Sequence, residues 1–347
     1  MAGSLYTVDE CEKVALDAAL RYVNDTLPGI SRKRAGKGFA YYTAAKVLIK
    51  DKTELKRIKA LGIPPAYQNV WICPYANGHI QATGRDAKNR KQYRYHERWH
   101  LVRQESKFAN MLQFGEALPM IRTHIKEQLA QSVKLSKSQV ICAMLYLLDT
   151  CYIRIGNPHY AKENASYGLT TLRKKHLTLT RHQAQLEFKG KSAQLWQVVL
   201  KNNRILKIIK QCEDIPGFEL FKYLDEEHNA HVIQSQDINH YLQSLTNQPF
   251  TAKDFRTWAA CRETLKRCIE LTYEGKAACK TTFKLIVAEV AKLLRHTPSI
   301  CRKNYIHQNL ILAWQEARFS AWLERHQPFL PQNNDDAYLL YWLNHQD

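Results

Sequence analysis

The chain has 347 residues, 45% of them hydrophobic and 24% charged, a globular balance that excludes a disordered chain and leaves room for two separate cores. Its formal net charge of +19 points to a polyanionic partner, nucleic acid ahead of an anionic membrane surface. No run approaches the roughly 20 apolar residues of a membrane span, so a helical membrane protein is excluded.

Residues 1–100 hold 18 Lys and Arg against 9 Asp and Glu, nearly half of the net charge in under a third of the chain. The opening SLYTVDECEKVALDAALRYV has acids where an export signal wants cations. Its periodicity predicts a helix over 9–24, with Val14, Leu16, Ala18, Ala19 and Tyr22 as inward candidates. Arg32, Lys33, Arg34 and Lys37 cluster next, ahead of Gly-punctuated, aromatic-rich sequence. Tyr, Val and Ile enrichment, with breaks at Pro64-Pro65, Asn77-Gly78 and Gly84, predicts short strands around 39–50, 69–74, 78–83 and 92–95. Residues 1–100 are therefore expected to form a small β-rich domain.

Beyond residue 100 the texture turns helical. LSKSQVICAMLYLLDTCYIRIG predicts a long apolar helix over 135–156, opened by a serine cap. Residues 176–192 alternate like a hairpin, and 193–211, 235–245, 252–273, 282–295 and 305–326 have helical periods. Phe283, Ile286, Val287, Val290 and Leu294 share one apolar face. The fold class expected is α+β, with a mainly α-helical second domain over 101–347 that includes a short β-hairpin. There is no repeat or low-complexity tract. The nine cysteines are scattered and lack a C-x-x-C pair, which suits reduced thiols in the cytoplasm and argues against a cysteine zinc site.

Two short motifs point elsewhere. His96-Glu97-Arg98-Trp99-His100 matches the H-E-x-x-H zinc pattern, but it follows strand-like QYRY in a cationic region and carries Arg98 at its centre. A polar domain junction is the plainer reading, and no metal is expected. Gly190-Lys191-Ser192 looks like the end of a phosphate-cradling loop, yet position 185, where the upstream glycine belongs, is Gln. No nucleotide or other cofactor is expected.

A more coherent signal is a set of cations around one tyrosine. HTPSICRKNY places His296 nine residues before Tyr305; alone, that spacing means nothing. Upstream lie Arg154 in RIGNPHY, Lys191 in FKGKS and Arg256 in AKDFRTW. Phosphodiester transfer wants such a set. Guanidiniums and an imidazole can clamp the negative charge on the non-bridging oxygens, and a lysine can protonate the leaving alkoxide. Alternating aromatics such as those in QYRY usually serve a core. Arg85, Lys88, Arg90, Lys91 and Arg94 around them shift the balance towards a nucleic-acid surface.

Taken together and in order, IPPAYQNVWICP (63–74), GRDAKNRKQYRYH (84–96), RIGNPHYAKENASYGLTTLRKKH (154–176), FKGKS (188–192), KDFRTW (253–258) and HTPSICRKNY (296–305) resemble the type IB DNA topoisomerases of the compact bacterial and poxvirus kind. The resemblance runs from about Gly36 to about residue 325; the tail after Pro328 matches nothing in it. It implies that Tyr305 is the nucleophile, Arg154 and Arg256 the catalytic arginines, Lys191 a general acid on a hairpin, and His296 a position some relatives fill with Asn. It also implies that Gln92, Tyr93 and Tyr95 meet the major groove, with Tyr160 and Lys253 on the DNA backbone. Arg85, Lys88 and Arg90 are added as DNA-binding candidates. The expected activity is relaxation of duplex DNA through a 3′-phosphotyrosyl link, without metal or ATP, by a monomer clamping DNA in the bacterial cytoplasm and associated with the nucleoid. Two rivals use similar residues. A tyrosine recombinase usually has a histidine three residues before its second arginine, where this chain has Lys253. A non-catalytic DNA-binding protein would not need the five catalytic side chains.

Overall fold

The basic N-terminal stretch folds into helix α1 (Val8–Asp17), strands β1 (Ile30–Ala35) and β2 (Gly38–Tyr42), helix α2 (Lys52–Ala60), and strands β3 (Gln68–Ile72), β4 (Ile80–Arg85) and β5 (Lys91–Tyr95). The structure, a computed structural model, describes residues 8–87, 89–131, 135–330 and 334–346. Two compact units divide the chain between Lys107 and Phe108.

The strands form one antiparallel sheet in the order β2-β1-β3-β4-β5. The sequence reading missed β1, because the cluster Arg32-Lys33-Arg34 carries no apolar alternation. Pairing explains the strand. Arg32 lies opposite Tyr41 and Arg34 opposite Phe39, while the Arg32 guanidinium sits 4.1 Å over the Phe39 ring and Lys33 Nζ 5.1 Å over Tyr42. Ile30, Ile58, Val70, Ile72 and Ala82 form the core beneath the sheet. Helix α2 is capped by Asp51, whose carboxylate accepts from the Glu54 amide at 2.7 Å.

Helix α1 stops well short of residue 24. Ala19 takes a left-handed conformation (φ 54°), and the helix register buries Ala15 while leaving Leu16 75% exposed. Leu16 is therefore not the inward residue expected. Ala15 and Leu20 pack with Trp99, and His79 stacks on Tyr22 at 4.2 Å. His79 Nδ1 accepts from the Val23 amide, and burial pushes its pKa down to about 4.

Helix α3 (Glu97–Ala130) begins in the first unit and ends in the second. Then follow α4 (Lys137–Cys151), α5 (Pro158–Asn164), strands β6 (Leu177–Leu179), β7 (Ala184–Lys189) and β8 (Leu195–Leu200), α6 (Asn203–Asp214), the hairpin β9 (Lys222–Leu224) and β10 (Ala230–Val232), α7 (Ser235–Thr246), α8 (Ala252–Tyr273), α9 (Lys280–Leu293), α10 (Pro298–Asn304), α11 (Gln308–Gln315), α12 (Arg318–His326) and α13 (Asp335–Asn344). The molecule is α+β: a sheet region followed by a mostly helical unit.

Helix α4 is apolar almost all round, and Val140 to Leu145, Leu147 and Leu148 are all buried, so it is the central helix of the second unit. Ser136 opens it with a capping box. It ends at Cys151, five residues earlier than expected, because Tyr152 turns left-handed (φ 57°). Residues 193–211 split into β8, which extends β6-β7 to three strands, and α6. The 305–326 period is broken at Ala317 (φ 57°) into α11 and α12. Helices α3 and α8 meet closely at Gly115, where a Cβ would stand 2.2 Å from the Trp258 ring. Among the described residues no disulfide links the nine cysteines, most of which are buried.

Candidate active site

Arg154 owes its position to a contact between two backbone segments. Beyond Tyr152 the chain runs extended, and Leu169 N donates to Arg154 O at 2.9 Å while Thr170 N donates to Ile155 O at 2.8 Å. The approach leaves no room for side chains: a Cβ on Gly168 would lie 2.5 Å from Arg154 O, and Gly156 holds φ 100°. The two glycines of RIGN…SYGLTT thus fix where the Arg154 side chain departs. Its Nη2 donates to Arg295 O at 3.1 Å. Burial pulls its pKa below the usual arginine range, with Tyr305 acting in the opposite sense.

Arg256 reaches the same place from α8. It is 3% exposed, since α8 packs against α4, α9 and α13. Its Nη2 donates to Leu294 O at 2.6 Å and to His296 Nε2 at 2.7 Å. A guanidinium has no acceptor, so Nε2 must present a lone pair, and a neutral His296 carries its proton on Nδ1. Burial, then the neighbouring charge of Arg154, brings the Arg256 pKa down to about 10.

His296 lies on the break between α9 and α10, and Tyr305 closes the C-terminal end of α10. Arg295 turns left-handed (φ 51°), Thr297 caps α10, and Pro298 occupies its first turn. The His296 and Tyr305 rings lie 4.2 Å apart. Tyr305 is also tied to α8 through its backbone: Cys261 Sγ donates to Tyr305 O at 3.1 Å and accepts from His307 N at 3.3 Å. Cys261 was not singled out from the sequence; nothing marks it except its place, five residues after Arg256 on the same helix.

The electrostatics favour an anion. Among the described residues neither Arg154 nor Arg256 pairs with a carboxylate, and Arg154 Nη1, Arg256 Nε and Arg256 Nη1 make no hydrogen bond of good geometry, Tyr305 being the side chain that favours the Arg256 charge. Buried N–H groups without well-formed bonds are costly, and two such guanidiniums side by side more so. A tetrahedral anion with several oxygens would satisfy them.

Lys191 stands apart. It lies exposed in the turn between β7 and β8, and among the described residues no hydrogen bond or ion pair joins it to Arg154, Arg256, His296 or Tyr305. The turn is a hairpin, with Ser192 and Ala193 left-handed, so Gly190-Lys191-Ser192 lacks the strand-to-helix geometry of a nucleotide loop. The hairpin is tied to the Arg154 segment by Tyr167 N donating to Lys189 O at 2.8 Å.

The remaining candidates fall on both units. β5 is an edge strand, and its Tyr93 and Tyr95 are stacked 5.8 Å apart and each more than one-third exposed. Asp86 gathers neighbouring groups: Arg90 pairs with it at 2.7 Å, and Gln92 Nε2 donates to it at 3.0 Å. Arg85 donates to Asn89 O at 2.8 Å, and Lys88 lies outside the described residues. In the second unit Tyr160 is exposed on α5, and Lys253 is exposed on the first turn of α8, three residues before Arg256. His96 is used as a cap, its Nδ1 accepting from Arg98 N at 3.1 Å. Among the described residues no three His, Cys, Asp or Glu side chains gather as metal ligands would.

The tail left unassigned from sequence forms α13 and braces α8. Asp336 accepts from Trp258 Nε1 at 2.6 Å, pairs with Arg122 at 2.7 Å and with Arg262 at 3.2 Å. The signal was present in NNDDAYLLYW: Asn334 caps, two acids fill the first turn, and an apolar run follows.

Residues 89–321 match the catalytic core of eukaryotic DNA topoisomerase I, and residues 38–86 match the N-terminal domain of bacterial DNA topoisomerase IB. A DNA topoisomerase 1B of Acanthamoeba polyphaga mimivirus is 31% identical over 322 residues, covering 89% of this chain and 92% of the relative. DNA topoisomerase 1B of vaccinia virus is 26% identical over 261 residues, covering 73% of this chain and 77% of the relative, and DNA topoisomerase I of monkeypox virus matches to the same extent.

Proposed function

The chain belongs to the type IB DNA topoisomerases, and from that membership we propose that Tyr305, Arg154, Arg256, His296 and Lys191 carry out its chemistry. The enzyme relaxes supercoiled duplex DNA by cutting and resealing one strand through a 3′-phosphotyrosyl intermediate, without ATP or metal. The Tyr305 oxygen attacks the backbone phosphorus, and the bond from phosphorus to the 5′ oxygen breaks. Lys191 gives that oxygen its proton. Arg154, Arg256 and an N–H of His296 face the non-bridging oxygens, where negative charge is greatest in the transition state. The link stores the phosphodiester bond while the free duplex end rotates; attack by the 5′-hydroxyl reverses each step.

The observation that carries this assignment is the pair Arg154 and Arg256 without a carboxylate among the described residues, Arg256 being buried and bonded to His296, whose ring lies 4.2 Å from that of Tyr305. We further propose that Gln92, Tyr93, Tyr95, Arg85, Lys88 and Arg90 in the first unit, and Tyr160 and Lys253 in the second, contact the duplex. The reading is completed by a monomer clamping one duplex, with no nucleotide partner, in the bacterial nucleoid.

Relaxation of a plasmid lacking special sites, in EDTA and without ATP, tests the activity, and Tyr305→Phe tests the assignment. The substitution removes only the hydroxyl; relaxation and the covalent adduct should vanish while DNA binding stays. A protein–DNA adduct surviving on a denaturing gel would move the nucleophile to another residue.

A further inference from the structure

We propose that Arg295 is a positioning residue for the cleavage step, its guanidinium holding the Lys191 hairpin in register with the arginine–histidine pocket through Trp196. The inference rests on the reading of Lys191 as the general acid.

A general acid must come within about 2.6–3.2 Å of the leaving oxygen. Lys191 is a long exposed side chain with no partner among the described residues, so its aim has to come from the hairpin. Trp196 is the floor of that hairpin's tip. A Cβ on Gly190 would stand 2.7 Å from Trp196 Nε1, Gly190 N donates to Gln194 O at 2.8 Å, and Phe188 stacks on the Trp196 ring at 6.0 Å with an interplanar angle of 2°. The Arg295 guanidinium also lies over the Trp196 ring, 6.0 Å from its centre.

Arg295 also belongs to the pocket. Its carbonyl accepts from Arg154 Nη2, and the next residue is His296. One residue therefore bonds the first arginine with its backbone and the acid's hairpin with its side chain. Its backbone is left-handed, a conformation that glycine adopts freely and arginine does not. Among the described residues no carboxylate pairs with Arg295; its side chain meets the Trp196 ring.

The test is single-turnover cleavage of a duplex with either an ordinary phosphodiester or a 5′-bridging sulfur, whose thiolate leaves without a proton. Arg295→Gly should slow the ordinary substrate by about 3- to 30-fold, the rate equivalent of one cation–π contact. On the sulfur substrate it should match the parent enzyme. Because glycine relieves the left-handed backbone, its resistance to urea should not fall. Trp196→Leu should show the same selective slowing, and the double variant should be no slower than the slower single one. Equal slowing on both substrates, no slowing on either, or additive losses would overturn the proposal. Lys191→Ala run in parallel separates the two readings. If sulfur fails to rescue it, the acid assignment itself falls; if sulfur rescues it but not Arg295→Gly, only the role of Arg295 falls.

Discussion

Arg256 should destabilise the protein it serves, and Arg256→Met exposes that cost. Arg256 is 3% exposed and has no carboxylate partner among the described residues, and its pKa falls from the ordinary arginine range to about 10. At 1.36 kcal/mol per pH unit the charged form is disfavoured by about 3 kcal/mol relative to the unfolded chain. Methionine retains the unbranched stem but forfeits the bonds to Leu294 O and His296 Nε2, together worth about 2 kcal/mol. The balance is a gain of about 1 kcal/mol in the DNA-free protein. The sign with pH follows from a folded pKa below the unfolded one: the penalty is fully present below about 10 and fades only as pH rises from there towards the ordinary arginine range. The gain should therefore be constant between pH 6 and 9. Urea unfolding at several pH values measures it, as a higher midpoint at unchanged slope. Single-turnover cleavage should meanwhile drop by about 10²–10³ or more, the scale of losing one transition-state donor. Destabilisation by 2 kcal/mol or more would refute the reasoning, because it would mean the charge is already compensated.

Replacing Arg85, Lys88 and Arg90 together by alanine should flatten the slope of log affinity against log salt by about 2–3, given roughly 0.9 per phosphate contact; an unchanged slope means these cations do not face DNA. His79, with a folded pKa of about 4 against 6.5, favours stability above pH 6.5 and loses it as pH falls towards 4. Its glutamine variant should accordingly lose about 3 kcal/mol less than the parent over that window, measured by urea unfolding at each pH. Parallel curves would show that His79 is free to protonate in the fold. Asp336→Asn should cost about 2–3 kcal/mol, less than a fully buried pair because the carboxylate side chain keeps 24% exposure. A midpoint shift worth under about 0.5 kcal/mol would mean α13 contributes nothing to bracing α8.

Legibility tracked the kind of force that builds each part. Helices α4, α8 and α9 were readable because apolar periodicity is local and strong, and Ser136 marked where α4 starts. Strand β1 was not, because Arg32 and Lys33 are held by aromatic rings on a neighbouring strand, a cross-strand contact that no single-strand pattern displays. The 34-residue α3 escaped as well; Pro119 inside it argues against a continuous helix. At the candidate site, Arg154, Arg256, His296 and Tyr305 are separated by up to 151 positions. No spacing rule predicts their meeting; ordered motifs suggested it, and the Gly156–Gly168 contact and the Cys261 bridge are what accomplish it. Lys191 remains outside the group, since its approach depends on a hairpin tip rather than on a buried helix.

The place of Tyr93 and Tyr95 in the sheet bears on how such a protein changes over generations. β5 is the margin of the sheet, its residues mostly exposed, whereas the adjoining β4 is buried over Gln81–Gly84. A substitution on β5 removes little buried area and usually shifts stability by under about 0.5 kcal/mol, while one on β4 cuts into the core. Selection acting on the surface of the margin strand is thus uncoupled from selection on folding. Lineages can explore new side chains at Gln92, Tyr93 and Arg94 by single steps, each leaving the scaffold intact, and the pocket around Tyr305, far along the chain, need not change with them.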